Sequence, residues 1–183
     1  MALKATIFKA QLQISDTNRH YYQTHTLTIA RHPSETDERM MVRILAFAGQ
    51  AHEALLFGKG LSSDDEPDLW RKDLTGAIQE WIDVGLPDDK RLRRACGRAQ
   101  SVVVYSYGGS GAQIWRKDMG DLLKRSRNLK IHAISQQASQ SLALLADRNM
   151  TLSFTFQDKE IWVSNEKQTL CLEMDWDIKN ETP

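Results

Sequence analysis

Several common features are missing from this sequence, and each absence excludes a class of protein. Its two cysteines, Cys96 and Cys171, are far apart and form no CxxC spacing, so neither a zinc site nor a disulfide framework is expected. No apolar run approaches the 18 residues of a membrane span. Single charges interrupt the apolar residues at the N-terminus, which therefore does not resemble a signal peptide. We expect a protein of the reducing cytoplasm without membrane contact.

An excess of charge of one sign is also missing. Lysine and arginine number 24, aspartate and glutamate also number 24, and the net charge is zero. This balance argues against strong non-specific binding to nucleic acid. The charge is nevertheless uneven, because residues 88–130 contain 11 basic and 4 acidic residues while "SSDDEPD" at 62–68 is acidic. The sequence therefore leaves room for one basic face.

The composition is that of a single globular domain. The chain has 183 residues, of which 41% are hydrophobic and 26% are charged. This length supports one core and is short for two independent ones. We expect one domain over residues 1–183, and a monomer.

Patterning predicts a mixed fold. Residues 4–13 and 20–30 have the composition of an antiparallel hairpin, and Ser34 is the expected N-cap of a helix over about 35–57. Glu35, Arg39, Arg43, Gln50 and Glu53 are expected on its polar face. The further expected elements are strands at about 68–72 and 77–84, a helix after Pro87, a buried strand at 101–108, a helix that ends near Arg125, a strand at 129–135, a helix, and three short strands.

This order predicts an α/β (α+β) protein in which helices flank a mixed sheet. The central strands read as buried on both faces, whereas an antiparallel hairpin and a meander form the two ends of the chain.

Three carboxylates in this order suggest a metal site. Glu38 lies on or beside the apolar face of the first helix, Asp68 begins one strand, and Asp83 is near the end of the next. Mg²⁺ and Mn²⁺ prefer such oxygen ligands, and a nearby cation would offset the charge that develops during phosphodiester cleavage. We expect Glu38, Asp68 and Asp83 as the ligands.

Strand register decides which acid is the partner of Asp68. A two-residue turn at "DLTG" places Asp68 diagonal to Asp83, and a four-residue loop places the two directly opposite. A three-residue loop instead brings Asp68 to the face of Glu80, which is the alternative ligand. We favour Asp83.

These features resemble a known family. The helix glutamate, the "PD" at 67–68 and the acid on the following strand are similar to the PD-(D/E)XK nuclease superfamily. The segments "ATIFKAQLQISDTNRHYY", "ARHPSETDERMMVRILAFA", "GLSSDDEPDLWRKDLTG" and "WIDVGLPDDKRLRRAC" more closely resemble the YaeQ family of small bacterial proteins. The resemblance implies a restriction-endonuclease-like core, and the biochemical role of that family is unsettled.

One departure from the superfamily pattern concerns the catalytic lysine. Gly85 stands where the motif has lysine, and it carries no ammonium group. Lys90 and Arg91, in the first turn of the next helix, are the nearest replacements in the sequence. The resemblance therefore implies Glu38, Asp68, Asp83 and one of these cations as the catalytic set.

Each candidate also has a purely structural interpretation. Glu38 would pair with an arginine, Asp68 would begin a strand or cap a turn, and Asp83 would pair with Arg91. Two hypotheses follow: a Mg²⁺- or Mn²⁺-dependent nuclease, or a non-catalytic module that binds nucleic acid or a protein on the same fold. An arginine in the metal position would favour the module. The choice between DNA and RNA, the pathway and any protein partner stay open.

Overall fold

A computed structural model of the chain describes residues 4–59, 61 and 63–176. The strands are β1 (Thr6–Asp16), β2 (Tyr21–Arg31), β3 (Leu55–Phe57), β4 (Leu69–Lys72), β5 (Ile78–Val84), β6 (Ala99–Ser106), β7 (Leu129–Ile134), β8 (Asn149–Gln157), β9 (Glu160–Ser164), β10 (Thr169–Leu172) and β11 (Met174–Asp175). The helices are α1 (Asp37–Gly49), α2 (Asp89–Arg98), α3 (Gly109–Asp118), α4 (Gly120–Arg125) and α5 (Gln136–Ala143). The expected mixed α/β class is confirmed.

The two ends of the chain form one sheet. Its strand order is β10-β9-β8-β1-β2, and β1 pairs antiparallel with β2 but parallel with β8. Along β1, alternate residues are buried, as expected for a sheet with one face on the core. The N-terminal hairpin and the C-terminal meander, predicted as separate ends, are therefore parts of a single five-stranded layer.

Strands from the middle of the chain form the second sheet together with the short strand β11 near the C-terminus, in the order β11-β7-β6-β5-β4-β3. The strands β5, β6 and β7 are parallel neighbours, and β4 is antiparallel to β5. Val102, Val103, Val104 and Tyr105 are all buried, which is the pattern of a strand covered on both faces. Helices α2 and α4 contribute to the core on one of those faces.

Helix α1 lies in the main core between the two sheets. Every residue from Met40 to Gly49 is buried, and the same apolar cluster includes residues of both sheets and of α5. The predicted limits of 35–57 are wrong: Thr36 is the N-cap in place of Ser34, the helix ends at Gly49, and β3 follows. A helix that is apolar on all sides is a core helix, so its polar residues cannot form a solvated face.

Among the described residues, no helix is long and apolar enough to cross a membrane.

The close packing of α1 gives a first prediction. A Cβ atom on Gly49 would lie 2.5 Å from the hydroxyl oxygen of Tyr105, a side chain with no exposed surface. We expect Gly49→Ala to lower the free energy of unfolding by about 2 kcal/mol, because an overfilled core must shift its neighbours. Urea unfolding measures this change.

Gly97→Ala is the matched control. Gly97 lies in α2 with open space around its Cβ position, so alanine should stabilise the protein by up to about 1 kcal/mol. Equal effects of the two substitutions would contradict the packing of Tyr105 against α1.

Candidate functional site

A cleft opens at the carboxyl end of β5, beside the beginning of α2. Its volume is about 340 Å³, and Arg39, Asp68, Asp83, Gly85 and Arg91 are among the residues that line it. It thus gathers side chains from α1, from the residue before β4, from β5 and from α2.

The register of β4 and β5 explains why two carboxylates meet there. Leu69 pairs with Ile82 and Trp70 pairs with Trp81. One step further along this register, Asp68 lies across from Asp83. This is the register of the four-residue loop, and an irregularity between Arg71 and Lys72 separates it from the turn.

Asp83 is held by a guanidinium group. Its Oδ1 accepts a hydrogen bond from Arg91 Nη2 at 2.8 Å, and its Oδ2 accepts one from Arg91 Nε at 2.9 Å. The indole Nε1 of Trp81 donates to the same Oδ2 at 3.0 Å. Asp83 is 1% exposed, so this two-point pairing with arginine offsets the cost of burying its charge.

Asp68 is held by a different arginine. Arg39 Nη2 donates to its Oδ1 at 2.6 Å, and the backbone N–H of Val84 donates to its Oδ2 at 2.8 Å. Burial raises the pKa of Asp68, the Arg39 charge opposes that rise, and the nearby charge of Asp83 adds to it. The direction fits a carboxylate in a dry position beside a second carboxylate.

A third acid extends this network into the core. Both carboxylate oxygens of Glu35 accept hydrogen bonds from Arg43, at 2.7 Å each, and Arg39 Nη1 donates to Glu35 at 3.0 Å. Arg39 therefore links Glu35 to Asp68. Counted with Asp83 and Arg91, the network has three carboxylates and three guanidinium groups, so its formal charge is zero.

The other predicted residues lie apart from this pairing. Glu38 accepts a hydrogen bond at 2.6 Å from the hydroxyl of Ser139 in α5. Lys90 is exposed on the first turn of α2 and does not line the cleft, whereas Arg91 on the same turn does. Of the two predicted cations, the structure thus brings only Arg91 to the acids.

Glu80 lies on the opposite face of β5 from Asp83. Its side chain is close to Arg71, with 3.8 Å between Oε2 and Arg71 Nε. Burial raises the pKa of Glu80, and the charges of Arg71, Arg19 and Lys130 oppose the rise. The register therefore does not place Glu80 in the cleft with Asp68.

Gly85 has a backbone role at the edge of the cleft. Its φ of 103° lies in the region that favours glycine, and its N–H donates to the carbonyl of Tyr105 at 2.9 Å. Nothing lies within 4 Å of the position of a Cβ. The position thus has space for a side chain but a backbone conformation that disfavours one.

Tyr107, just after β6, is a further polar group near this network. Burial raises its pKa to about 12, and the charges of Glu38, Glu35 and Asp68 add to the rise while Arg39 opposes it. The hydroxyl therefore stays protonated at neutral pH and can donate a hydrogen bond.

This donor set does not fit a divalent metal ion. Every carboxylate oxygen of Asp68 and Asp83 already accepts a hydrogen bond, and each of the two acids is paired with an arginine. A Mg²⁺ or Mn²⁺ site usually presents several carboxylates with excess negative charge. Among the described residues, no group of three or more His, Cys, Asp and Glu side chains could hold a metal ion.

The sequence pattern does not predict the hydrogen bonds that join Glu35, Arg39 and Arg43. Glu35, Arg39 and Arg43 recur every four residues and were assigned to a solvated face. The signal against a solvated face is that eight of the nine residues at 40–48, all except Arg43, are apolar, so this part of the helix has no polar side. Arg39 and Arg43 lie in the first two turns of this helix and need carboxylate partners, and one partner, Glu35, lies in the same segment, "ETDERMMVR".

The Asp83–Arg91 pair gives a second prediction. We expect Asp83→Ala to lower the free energy of unfolding by about 3 kcal/mol, because it leaves a partly buried guanidinium without its carboxylate partner and the Trp81 N–H without its acceptor. Asp65→Ala is the control, since Asp65 pairs with Arg94 of the same helix but its side chain is 81% exposed. That change should cost less than about 1 kcal/mol. Similar losses in urea unfolding would show that the Asp83 pair is not structural.

Comparison with known proteins identifies relatives of this chain. A family model described as "YaeQ protein" matches residues 1–174. The chain is 42% identical over 170 residues to the uncharacterized protein YaeQ of Escherichia coli (strain K12), with 93% of this chain and 94% of that protein covered. It is 41% identical over 174 residues to the protein of the same name in Salmonella typhi, with 95% and 96% covered.

Two crystal structures have the same fold. The YaeQ protein from Xanthomonas axonopodis pv. citri superposes with a TM-score of 0.90 at 47% identity, over 93% of this chain and 96% of that one. The YaeQ protein from Pseudomonas syringae gives a TM-score of 0.89 at 34% identity, over 94% and 95%. The family match, the identities and the common fold together show that this chain belongs to the YaeQ family.

Proposed function

We propose that this protein is a non-catalytic nucleic-acid-binding module that keeps the core of a nuclease. One observation carries the proposal: the two acids that would hold a metal ion are each paired with an arginine, in a network without net charge. Removal of one member of such a network leaves a buried charge without its partner, so the acids have a structural role in this arrangement. It offers little attraction to a divalent cation.

The fold supports the nuclease ancestry. The order α1, β3, β4, β5, α2, β6 places Asp68 at the beginning of one strand and Asp83 near the end of its antiparallel neighbour. This is the order that the PD-(D/E)XK resemblance implies. A fold alone does not determine an activity, so the function must be argued from the site.

The proposed binding surface is the side of α2 that borders the cleft. Arg91, Arg94 and Arg98 follow one face of the helix over about 10 Å, since each residue advances about 1.5 Å. This is about the rise of three nucleotides along one strand of B-form DNA. Arginine suits phosphate recognition because its planar group donates two parallel hydrogen bonds.

The acidic loop at residues 63–66 supports this assignment. Arg94 Nη1 donates to the Asp65 carboxylate at 3.2 Å, Arg98 Nη1 to the Asp65 carbonyl at 3.3 Å, and Arg91 Nη1 to the Asp64 carbonyl at 3.1 Å. Oxygen atoms of the loop thus take the places that phosphate oxygens would take. Nucleic acid must displace them from Arg94 and Arg98, so we expect weak and salt-dependent binding.

The alternative is the Mg²⁺- or Mn²⁺-dependent nuclease. One observation favours it: Asp68 and Asp83 meet at a single open cleft, with Arg91 close to the vacant lysine position. Arg91 would then supply the missing positive charge. Cleavage would require both acids to exchange their arginine partners for the metal ion.

Fluorescence anisotropy with labelled single- and double-stranded DNA and RNA tests the proposal. We expect an association constant whose logarithm falls linearly with the logarithm of the salt concentration. On duplex DNA, the double variant Arg94→Ala with Arg98→Ala should reduce the magnitude of this slope by about 2. Lys117→Ala with Lys124→Ala, which removes the same charge from α3 and α4, is the matched control. Absence of binding, or equal effects of the two double variants, would overturn the proposal.

The same nucleic acids incubated with Mg²⁺ or Mn²⁺ separate the two candidates. We expect intact substrates with the wild-type protein. Cleavage that is lost in Asp68→Ala would establish the nuclease and refute the non-catalytic module. Cleavage that persists equally in Asp68→Ala would assign the activity to something other than this cleft.

A further inference from the structure

A second cleft lies on the opposite face of β5, where α1 ends. Helix α1 fills the space between the two sheets only as far as Gly49, and the gap beyond it has a volume of about 260 Å³. Glu80, Ser101, Val103, Lys130 and His132 line it from the six-stranded sheet. This cleft shares no residue with the Asp68–Asp83 cleft.

A buried carboxylate is the most unusual group in this cleft. Glu80 is 9% exposed, and it forms an ion pair with Arg71, at 3.8 Å from Nε to Oε2. That distance is too long for a hydrogen bond. Its oxygen atoms are not sealed in the core without partners, and Glu80 lines the cleft, so a ligand that donates N–H groups would reach them from there.

Positive charge lies at the other side of the cleft. Glu80 is level with Ser101 of β6, and Lys130 of β7 is level with Val103. Two strand spacings and an offset of two residues along the strands therefore separate the Cα atoms of Glu80 and Lys130, about 12 Å in all. Arg19 also lines the cleft, but Asp16 accepts from its Nε at 2.6 Å and balances its charge. Asp158 lines the same rim.

An aromatic wall completes the cleft. The His132 ring packs edge-on against Tyr105 and Trp176, with centroid separations of 5.0 and 4.8 Å, and Phe156 lies 6.1 Å from Trp176. Gln50 adds a side-chain amide, which donates to the Tyr105 hydroxyl at 3.3 Å. Flat rings and amide groups are the surroundings in which proteins hold single nucleobases.

We propose that this cleft binds a guanine nucleotide, with the base edge on Glu80 and the phosphate towards Lys130. The Watson–Crick edge of guanine presents two neighbouring N–H donors, which one carboxylate can accept together. Adenine and cytosine each present one donor beside one acceptor. With either base, the lone pair of that acceptor would face the Glu80 carboxylate. The separation of about 12 Å between the two Cα atoms suits an extended ligand that carries its donors and its anionic group at opposite ends.

Isothermal titration with GMP, AMP and CMP tests this proposal. We expect GMP to bind at least about ten-fold more tightly than AMP or CMP, and Glu80→Gln to remove that preference, because a two-point base contact has that discriminating power. Lys130→Gln should weaken the binding of GMP and leave the affinity for guanosine unchanged. The melting temperature of Glu80→Gln should equal or exceed that of the wild type, which separates lost binding from lost folding.

Three results would overturn the assignment: no detectable binding of GMP, equal affinity for AMP, or unchanged GMP affinity in Glu80→Gln. The proposal does not depend on the nucleic-acid-binding function of the first cleft. A failure of either one leaves the other standing, because their residues lie on opposite faces of β5.

Discussion

The burial of α1 between the two sheets is the constraint on which the rest of the structure depends. Ten consecutive residues of this helix, from Met40 to Gly49, are buried, and both sheets pack on it. The helix begins with polar residues, so these must be neutralised inside the protein. Glu35, Arg39 and Arg43 form the network that does so, and Arg39 extends it to Asp68.

The burial of α1 gives the acids of the nuclease-like motif a structural role. In an isolated pair of strands, Asp68 and Asp83 would be two carboxylates ready for a cation. In the folded chain they receive guanidinium groups from two helices: Arg39 joins α1 to the residue before β4, and Arg91 joins α2 to β5. Breaking either pair would leave a buried charge, which costs far more than a surface pair. The same atoms thus serve the fold and cannot also hold a metal ion without rearrangement.

Much of the fold could be predicted from local patterns, and the errors have identifiable causes. The hairpin, the Val102–Tyr105 strand and the order of elements followed from alternation, apolar runs and turn residues. The helix limits were wrong because Gln50, His52 and Glu53 continue a helical periodicity that only tertiary packing ends. The joining of the hairpin to the meander was not predictable, because the β1–β8 pairing connects residues about 140 positions apart and has no local signal.

The contacts of the candidate site were likewise only partly predictable from the sequence. Residue order identified Asp68, Asp83 and Arg91 as neighbours, because motif spacing reflects strand pairing. It could not reveal that Arg39 completes the set, since that contact depends on how α1 lies across the sheet. Glu80 shows the reverse case: the register that excludes it from the first cleft places it in the second.

The most direct test of this account is a titration of the protein with Mn²⁺, followed by electron paramagnetic resonance. The account predicts no stoichiometric Mn²⁺ binding at millimolar concentrations in the wild type, because the charges of Asp68 and Asp83 are already balanced. One tightly bound Mn²⁺ per chain that disappears in Asp68→Asn would contradict it, and would show that the arginine pairs open to admit a metal ion.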